Sequence, residues 1–255
     1  MFNYPVNYIN ITQNNHGTDY AIDLGWGKEY GGANVPIYSV FDGVVINTTT
    51  NKEGGKRVVT KHEIGEYVYY VKQVHFAKVL VSVNEEVTRD TIIGIMGKTG
   101  NATGNHDHIS IFRCPKGIEF NYSTAFYNKY KVDPKEYFYV FPYQTISEKT
   151  REKYGNILRF VDSEIKSYKS SSDELNIRTG PGVKHEKIGV LKLNDIVKVY
   201  ARSGKWVRID EIEDKWVSSN YLVEFDEIDE KKNILKKLLE KIKVIINKIL
   251  NILNI

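Results

Sequence analysis

The sequence predicts a mainly β protein: an antiparallel β-sheet domain, a second small β-rich domain, and a C-terminal amphipathic α-helix. Three observations carry this. Short apolar runs rich in Val, Ile and Tyr, separated by glycines, recur from Pro36 to about Phe112 with almost no helical period between them. A second block of the same kind, with its own Gly180-Pro181-Gly182 turn, extends from about Leu175 to Phe225. Beyond residue 226 the apolar period becomes that of a helix. At roughly 150 residues per domain, a chain of 255 residues holds two small domains. With 41% hydrophobic residues and 36 Lys plus Arg against 32 Asp plus Glu, the composition suits a folded chain rather than a disordered or membrane-spanning one. The formal charge of +4 is too small to indicate nucleic acid as a partner.

Taken in order, strands are expected over residues 35–40, 43–46, 67–71 and 92–96. Residues 113–143 keep many aromatics and are expected to pack back on that sheet as an extended tail, closing a first domain at 1–143. Polar stretches at 145–153 and 167–173 suggest a linker over 144–167, with 157–161 a strand of either neighbour. The second domain is placed at 168–225 and the helix at 226–255. A lone Cys114 excludes internal disulfides and four-thiolate zinc sites, so a metal here must be held by His and carboxylates. The opening MFNYPVNYINITQ lacks the charged and apolar regions of a secretory signal, which leads to an expectation of synthesis in the cytoplasm without export by the usual route.

Histidines stand at 16, 62, 75, 106, 108 and 185. The sharpest feature is His106-Asp107-His108, because alternate residues on a strand share a face and two imidazoles then converge. The glycine-rich turn 97–104 delivers the chain into it. Upstream, residues 16–23 supply His16, Asp19 and Asp23. A catalytic zinc takes three protein ligands and keeps one position open, so one His and one Asp from this stretch plus one His of the pair would complete a set. The remaining histidine would be left for proton chemistry. His62 and His185 read as solvent-facing.

Residues 1–115 resemble the lysostaphin-like zinc endopeptidases of the bacterial cell wall. The matching segments are Ala21-Ile22-Asp23-Leu24-Gly25-Trp26, the run from Pro36 to Val45, Val74-His75-Phe76, the run from Ile93 to Gly100, and Thr103-Gly104-Asn105-His106-Asp107-His108. They follow the family's order and approximate spacing. The resemblance implies zinc held by a His, by Asp23 and by His108, with His75 and His106 as catalytic imidazoles. For the first ligand, His16 stands seven positions before Asp23 and Asp19 stands four before it, where the family has a histidine. His16 is preferred, since a short loop insertion costs little and imidazole suits zinc, while Asp19 as a carboxylate ligand is chemically acceptable. Two further departures are Gln73, where an aromatic is usual, and the charged Asp107 inside the His-x-His.

The segments Leu175–Gly182, 188–191, 204–209 and 216–222 resemble a bacterial SH3-like domain, which implies binding of cell-wall peptide or glycan rather than chemistry. Trp206 and Trp216 are either a shallow platform or core. Residues 231–255 carry seven Lys and one Glu, hence +6, and Leu235, Leu238, Ile242, Ile245, Ile249 and Ile252 fill heptad positions a and d, with Leu239, Ile246 and Leu253 adding an e stripe. Homo-oligomerisation through this seam, contact with an anionic membrane or wall polymer, and packing on the chain's own domains compete, with the unbroken heptad favouring self-association slightly.

The expectation is therefore a peptidoglycan hydrolase of phage endolysin type, cutting a stem peptide or cross-bridge with zinc-activated water and reaching the wall after release at lysis. The rival from another class is a catalytically inactive wall-binding or hydrolase-activator protein.

Overall fold

The computed structural model describes residues 2–26, 34–211 and 213–252, and its architecture is mainly β as expected. Two compact units emerge, one of residues 1–163 with 201–204, the other of residues 164–200 with 205–255.

The first unit is built on an antiparallel sheet in the order Glu86–Val87, Gly43–Asn47, Gly55–Ile64, Tyr67–Phe76, His106–Pro115, Ala21–Gly25, Ile11–His16. Period-2 alternation sends successive side chains of its central strands into two different apolar clusters. Val58, Val71, Ile109 and Ile111 join Ile22, Leu24, Ile37, Ile93 and Met96 on one side. Val59, Tyr70, Phe112 and Cys114 join Phe126 and Tyr127 on the other. Cys114 is thus a buried packing residue. A smaller sheet, Lys78–Val79, Ile92–Ile95 and Pro36–Tyr38, adds to the first unit.

The aromatic segment after Pro115 covers the second face, but partly as a helix rather than as an extended tail. Ser123 caps the helix Thr124–Tyr130 by accepting from the Phe126 amide at 3.1 Å, and the helix lays Phe126 and Tyr127 on Phe112. The segment expected as a linker is also ordered in this unit. Thr145–Ile146 pairs in parallel with Tyr8–Ile9, the Thr150 hydroxyl accepts from the Ile11 amide at 2.9 Å, and Tyr154 and Leu158 lie in the main core. Its polar surface concealed three buried anchors, which composition averages away.

The second unit has a small core of Leu175, Leu191, Val199, Val207 and Val217. Trp216 is fully buried and donates its indole N–H to Asp214 at 3.2 Å, so it is core rather than platform. The helix Glu227–Ile252 follows, with Leu253 outside the described residues.

Candidate metal centre and its histidines

The site lies where four neighbouring strands, Tyr67–Phe76, His106–Pro115, Ala21–Gly25 and Ile11–His16, meet the loop after Gly97. In the strand His106–Pro115, His108 is register partner to Asp23 on one side and Val74 on the other, which places its imidazole and the Asp23 carboxylate on one face. His108 Nδ1 stands 3.0 Å from Asp23 Oδ1, and His16 Nε2 reaches the same oxygen at 3.4 Å. His106 Nε2 is 3.7 Å from Asp23 Oδ2. One ligand atom each from His16, Asp23 and His108 falls within 4.8 Å of the others, as does one from each of His75, His106 and His108.

The hairpin between Ile11–His16 and Ala21–Gly25 decides how His16 and Asp19 are used. Its pairing shifts register between Ile11 and His16, and the turn passes through Gly17 and Tyr20, both at positive φ. His16 is carried into the donor cluster. Asp19 is turned toward the far nitrogen of His108, with its Oδ2 at 3.3 Å from Nε2, 2.5 Å from Lys72 Nζ and 3.1 Å from Ser110 Oγ. Burial alone would raise its pKa, but the hydrogen bond to His108 and the Lys72 ammonium outweigh this and hold the carboxylate well below its usual range. Asp19 thereby fixes the ring of His108 and leaves Nδ1 toward Asp23. Burial disfavours charge on His108, yet its hydrogen bonds to Asp19 and Asp23 push its pKa up to about 9.

His75 arrives by a different device. Strict alternation would put its side chain on the same face as Gln73, away from His108. The strand is bulged between Lys56 and Arg57 opposite it, and His75 takes φ 72, so its ring swings to within 4.7 Å of His106 and 5.8 Å of His108, centroid to centroid. The loop after Gly97 receives it: His75 Nδ1 lies 2.8 Å from the Thr99 carbonyl, while the Thr99 hydroxyl donates to the Phe76 carbonyl at 2.8 Å and accepts from the Lys56 amide at 3.0 Å. Glycine is required on both sides of this contact. A Cβ on Gly55, at φ 62, would meet Thr99 backbone atoms at 2.3 Å, and one on Gly100, at φ 77, would meet the Gly55 amide nitrogen at 2.3 Å. Sequence reading gave Thr99 and Gly55 no role, although the glycines at 54–55 and at 100 were its available signal.

His106 Nδ1 stands 2.9 Å from the Gly104 carbonyl. A ring nitrogen facing a carbonyl must carry the proton, so both His75 and His106 present an unprotonated Nε2 when neutral. Burial lowers the His75 pKa and favours that neutral state.

His62 is placed contrary to expectation: it is 0% exposed in the strand Gly55–Ile64, packed at 5.6 Å from the Phe2 ring. Its Nδ1 donates to the Asp42 carbonyl at 3.0 Å and its Nε2 accepts from the Thr60 hydroxyl at 2.8 Å, which satisfies a neutral ring and pays its burial, with a pKa pushed down to about 4. His185 is partly buried in the second unit.

The donor set suits a borderline cation. Among the described residues the partners of the Asp23 side chain are imidazoles, and a divalent metal bound among them would take the place of the protons through which these rings meet the carboxylate.

Residues 14–129 match the family model described as Peptidase family M23, and residues 173–223 match that described as Bacterial SH3 domain. Over 96 residues the chain is 33% identical to the peptidoglycan DD-endopeptidase ShyA of Vibrio cholerae, covering 38% of this chain and 20% of that protein. Over 117 residues it is 30% identical to an uncharacterized metalloprotease of Buchnera aphidicola, covering 45% of this chain and 28% of the relative. The chain therefore spans less than a third of the length of either relative. It is also similar to the solved structure of a zinc containing peptidase from Vibrio cholerae, at 28% identity and a TM-score of 0.37, covering 44% of this chain and 36% of that one.

Proposed function

Residues 14–129 being a Peptidase family M23 domain and residues 173–223 a bacterial SH3 domain, we propose that this protein is a zinc-dependent endopeptidase that hydrolyses peptide bonds of peptidoglycan. His16, Asp23 and His108 would hold the zinc. Bound there, the ion supplies a Lewis acid for the scissile carbonyl and acidifies water.

The observation that carries the reading is the pair His75 and His106, whose Nδ1 atoms are each tied to a carbonyl and whose rings sit 4.7 Å apart beside the donor set. Each Nε2, unprotonated in the neutral ring, can accept a proton from water, and once protonated it can donate to a developing oxyanion or to the leaving amine. Lys72 and Asp19 keep His108 oriented without entering the reaction. The name of the Vibrio relative supports a bond between D-amino acids as the substrate. The SH3 domain would hold the chain on the wall, a binding role for which it needs no catalytic group.

The test combines metal analysis of the purified protein with release of new amino groups from purified walls. One zinc per chain with release of amino groups supports the proposal. Zinc bound without any hydrolysis would favour the wall-binding or activator role instead.

A further inference from the structure

The proposed hydrolase activity leaves the helix Glu227–Ile252 without a task. Its described apolar side chains have no cover: Leu235, Leu238, Leu239, Ile242, Ile245 and Ile246 are each between 49% and 61% exposed. At about 100° per residue these six fall within an arc of roughly 120°. Lys241 borders the arc on one side and Lys243 on the other, each about 40° outside it, with Lys236 and Lys237 beyond them. Val244 is the apolar exception on the lysine side.

Charge decides what can cover this stripe. In the heptad with Leu235 at position a, Lys241 and Lys248 fall at g and Leu239 and Ile246 at e, so a second copy would offer the lysines no acidic partner at e or g. Glu240, the acid among the described side chains of the helix, already pairs with Lys243 at 3.2 Å. A soluble polyanion would satisfy the lysines but leave the aliphatic arc in water. A surface that is anionic outside and apolar inside satisfies both. Among the described residues no helix is long and apolar enough to cross a membrane, so the fit is to a helix lying in the interface.

We propose that the helix Glu227–Ile252 docks on an anionic lipid bilayer, with Leu235, Leu238, Leu239, Ile242, Ile245 and Ile246 toward the acyl chains and the flanking lysines at the phosphate level. This holds independently of the peptidase chemistry.

The experiment is flotation of the full chain with phosphatidylcholine vesicles containing about one-third phosphatidylglycerol, beside pure phosphatidylcholine, at low and high salt. Binding at least about ten-fold stronger to the anionic vesicles, weakening as salt rises, is the expected result. Ile242→Asp should lose at least about ten-fold of that binding, and so should the triple variant Lys236→Ser, Lys241→Ser, Lys243→Ser. Since these side chains are exposed, neither variant removes core, and release of amino groups from purified walls should be unchanged in both. No vesicle binding, or equal binding to neutral and anionic vesicles, would overturn the proposal. So would a lipid-free oligomer that Ile242→Asp returns to monomer, which would assign the stripe to a second copy. Binding to soluble polyglycerol phosphate that Ile242→Asp leaves intact, with no vesicle binding, would assign the lysines to a wall polymer and overturn it equally.

Discussion

Gln73 donates its side-chain amide to the Asp107 carboxylate at 3.0 Å, and both side chains are almost completely buried. Beside the altered first-ligand position, these are two further positions near the site at which the sequence departs from the lysostaphin-like pattern, and one hydrogen bond joins them. Between His106 and His108, residue 107 faces the opposite side of the sheet, where a charge needs a buried donor. Gln73 supplies it from the neighbouring strand. Burial, opposed by this bond, leaves the Asp107 pKa raised to about 7, and its second oxygen has no hydrogen-bond partner among the described residues.

Gln73→Leu should therefore strand a buried carboxylate and cost about 2–3 kcal/mol at alkaline pH, measured by denaturant unfolding. The double variant Gln73→Leu, Asp107→Leu should cost less than the sum of the single variants by about 1–2 kcal/mol. Strict additivity would show that the pair is not coupled.

Substitution should separate the two groups of histidines. His75→Ala and His106→Ala are expected to lower wall hydrolysis by at least about a hundred-fold while retaining zinc, because each removes a proton-handling ring and leaves the donor set in place. Asp23→Ala should lose both zinc and hydrolysis, yet still sediment with walls if binding resides in the second unit. Loss of zinc from His75→Ala would instead make that ring a ligand.

The contact between the loops at Gly55 and Thr99 should tolerate no side chain. Gly55→Ala forces a Cβ to 2.3 Å from the Thr99 backbone and strains a positive φ, so the carbonyl that holds His75 must move. Hydrolysis is expected to fall at least ten-fold, with a stability loss of about 1–3 kcal/mol by thermal unfolding. Wild-type activity in this variant would show that the Thr99 carbonyl does not position His75.

His62 makes folding stability dependent on acid. The unfolded ring takes its proton near 6.5 and the folded ring only near 4, so between those values the unfolded chain holds more protons and stability falls as pH falls. The loss attributable to this ring should reach roughly 3 kcal/mol at the acid end. Comparing the pH dependence of unfolding in the wild type and in His62→Gln measures it: an unchanged slope would mean that His62 titrates normally.

Strand periodicity alone placed His106 and His108 on one face, and the single cysteine excluded a four-thiolate metal site, because those conclusions need only a repeat of two and residue types. Adjacent apolar residues such as Val58 and Val59, or Ile111 and Phe112, likewise reveal strands covered on both faces, and the Lys-flanked stripe of Leu235 to Ile246 is legible from a helical repeat. What only the tertiary structure decided lies where the repeat is broken or the partner is distant. The shifted hairpin register brings His16 to Asp23 and turns Asp19 to the back of His108. A positive φ and a bulge carry His75 across the sheet. Burial of His62 depends on a carbonyl twenty residues away, and the helix Glu148–Tyr154 is anchored through Thr150 to a strand 139 residues earlier in the chain. A bulge changes which way every following side chain points without altering composition, and a long-range hydrogen bond has no local period, so neither is written in the spacing of residues along the chain.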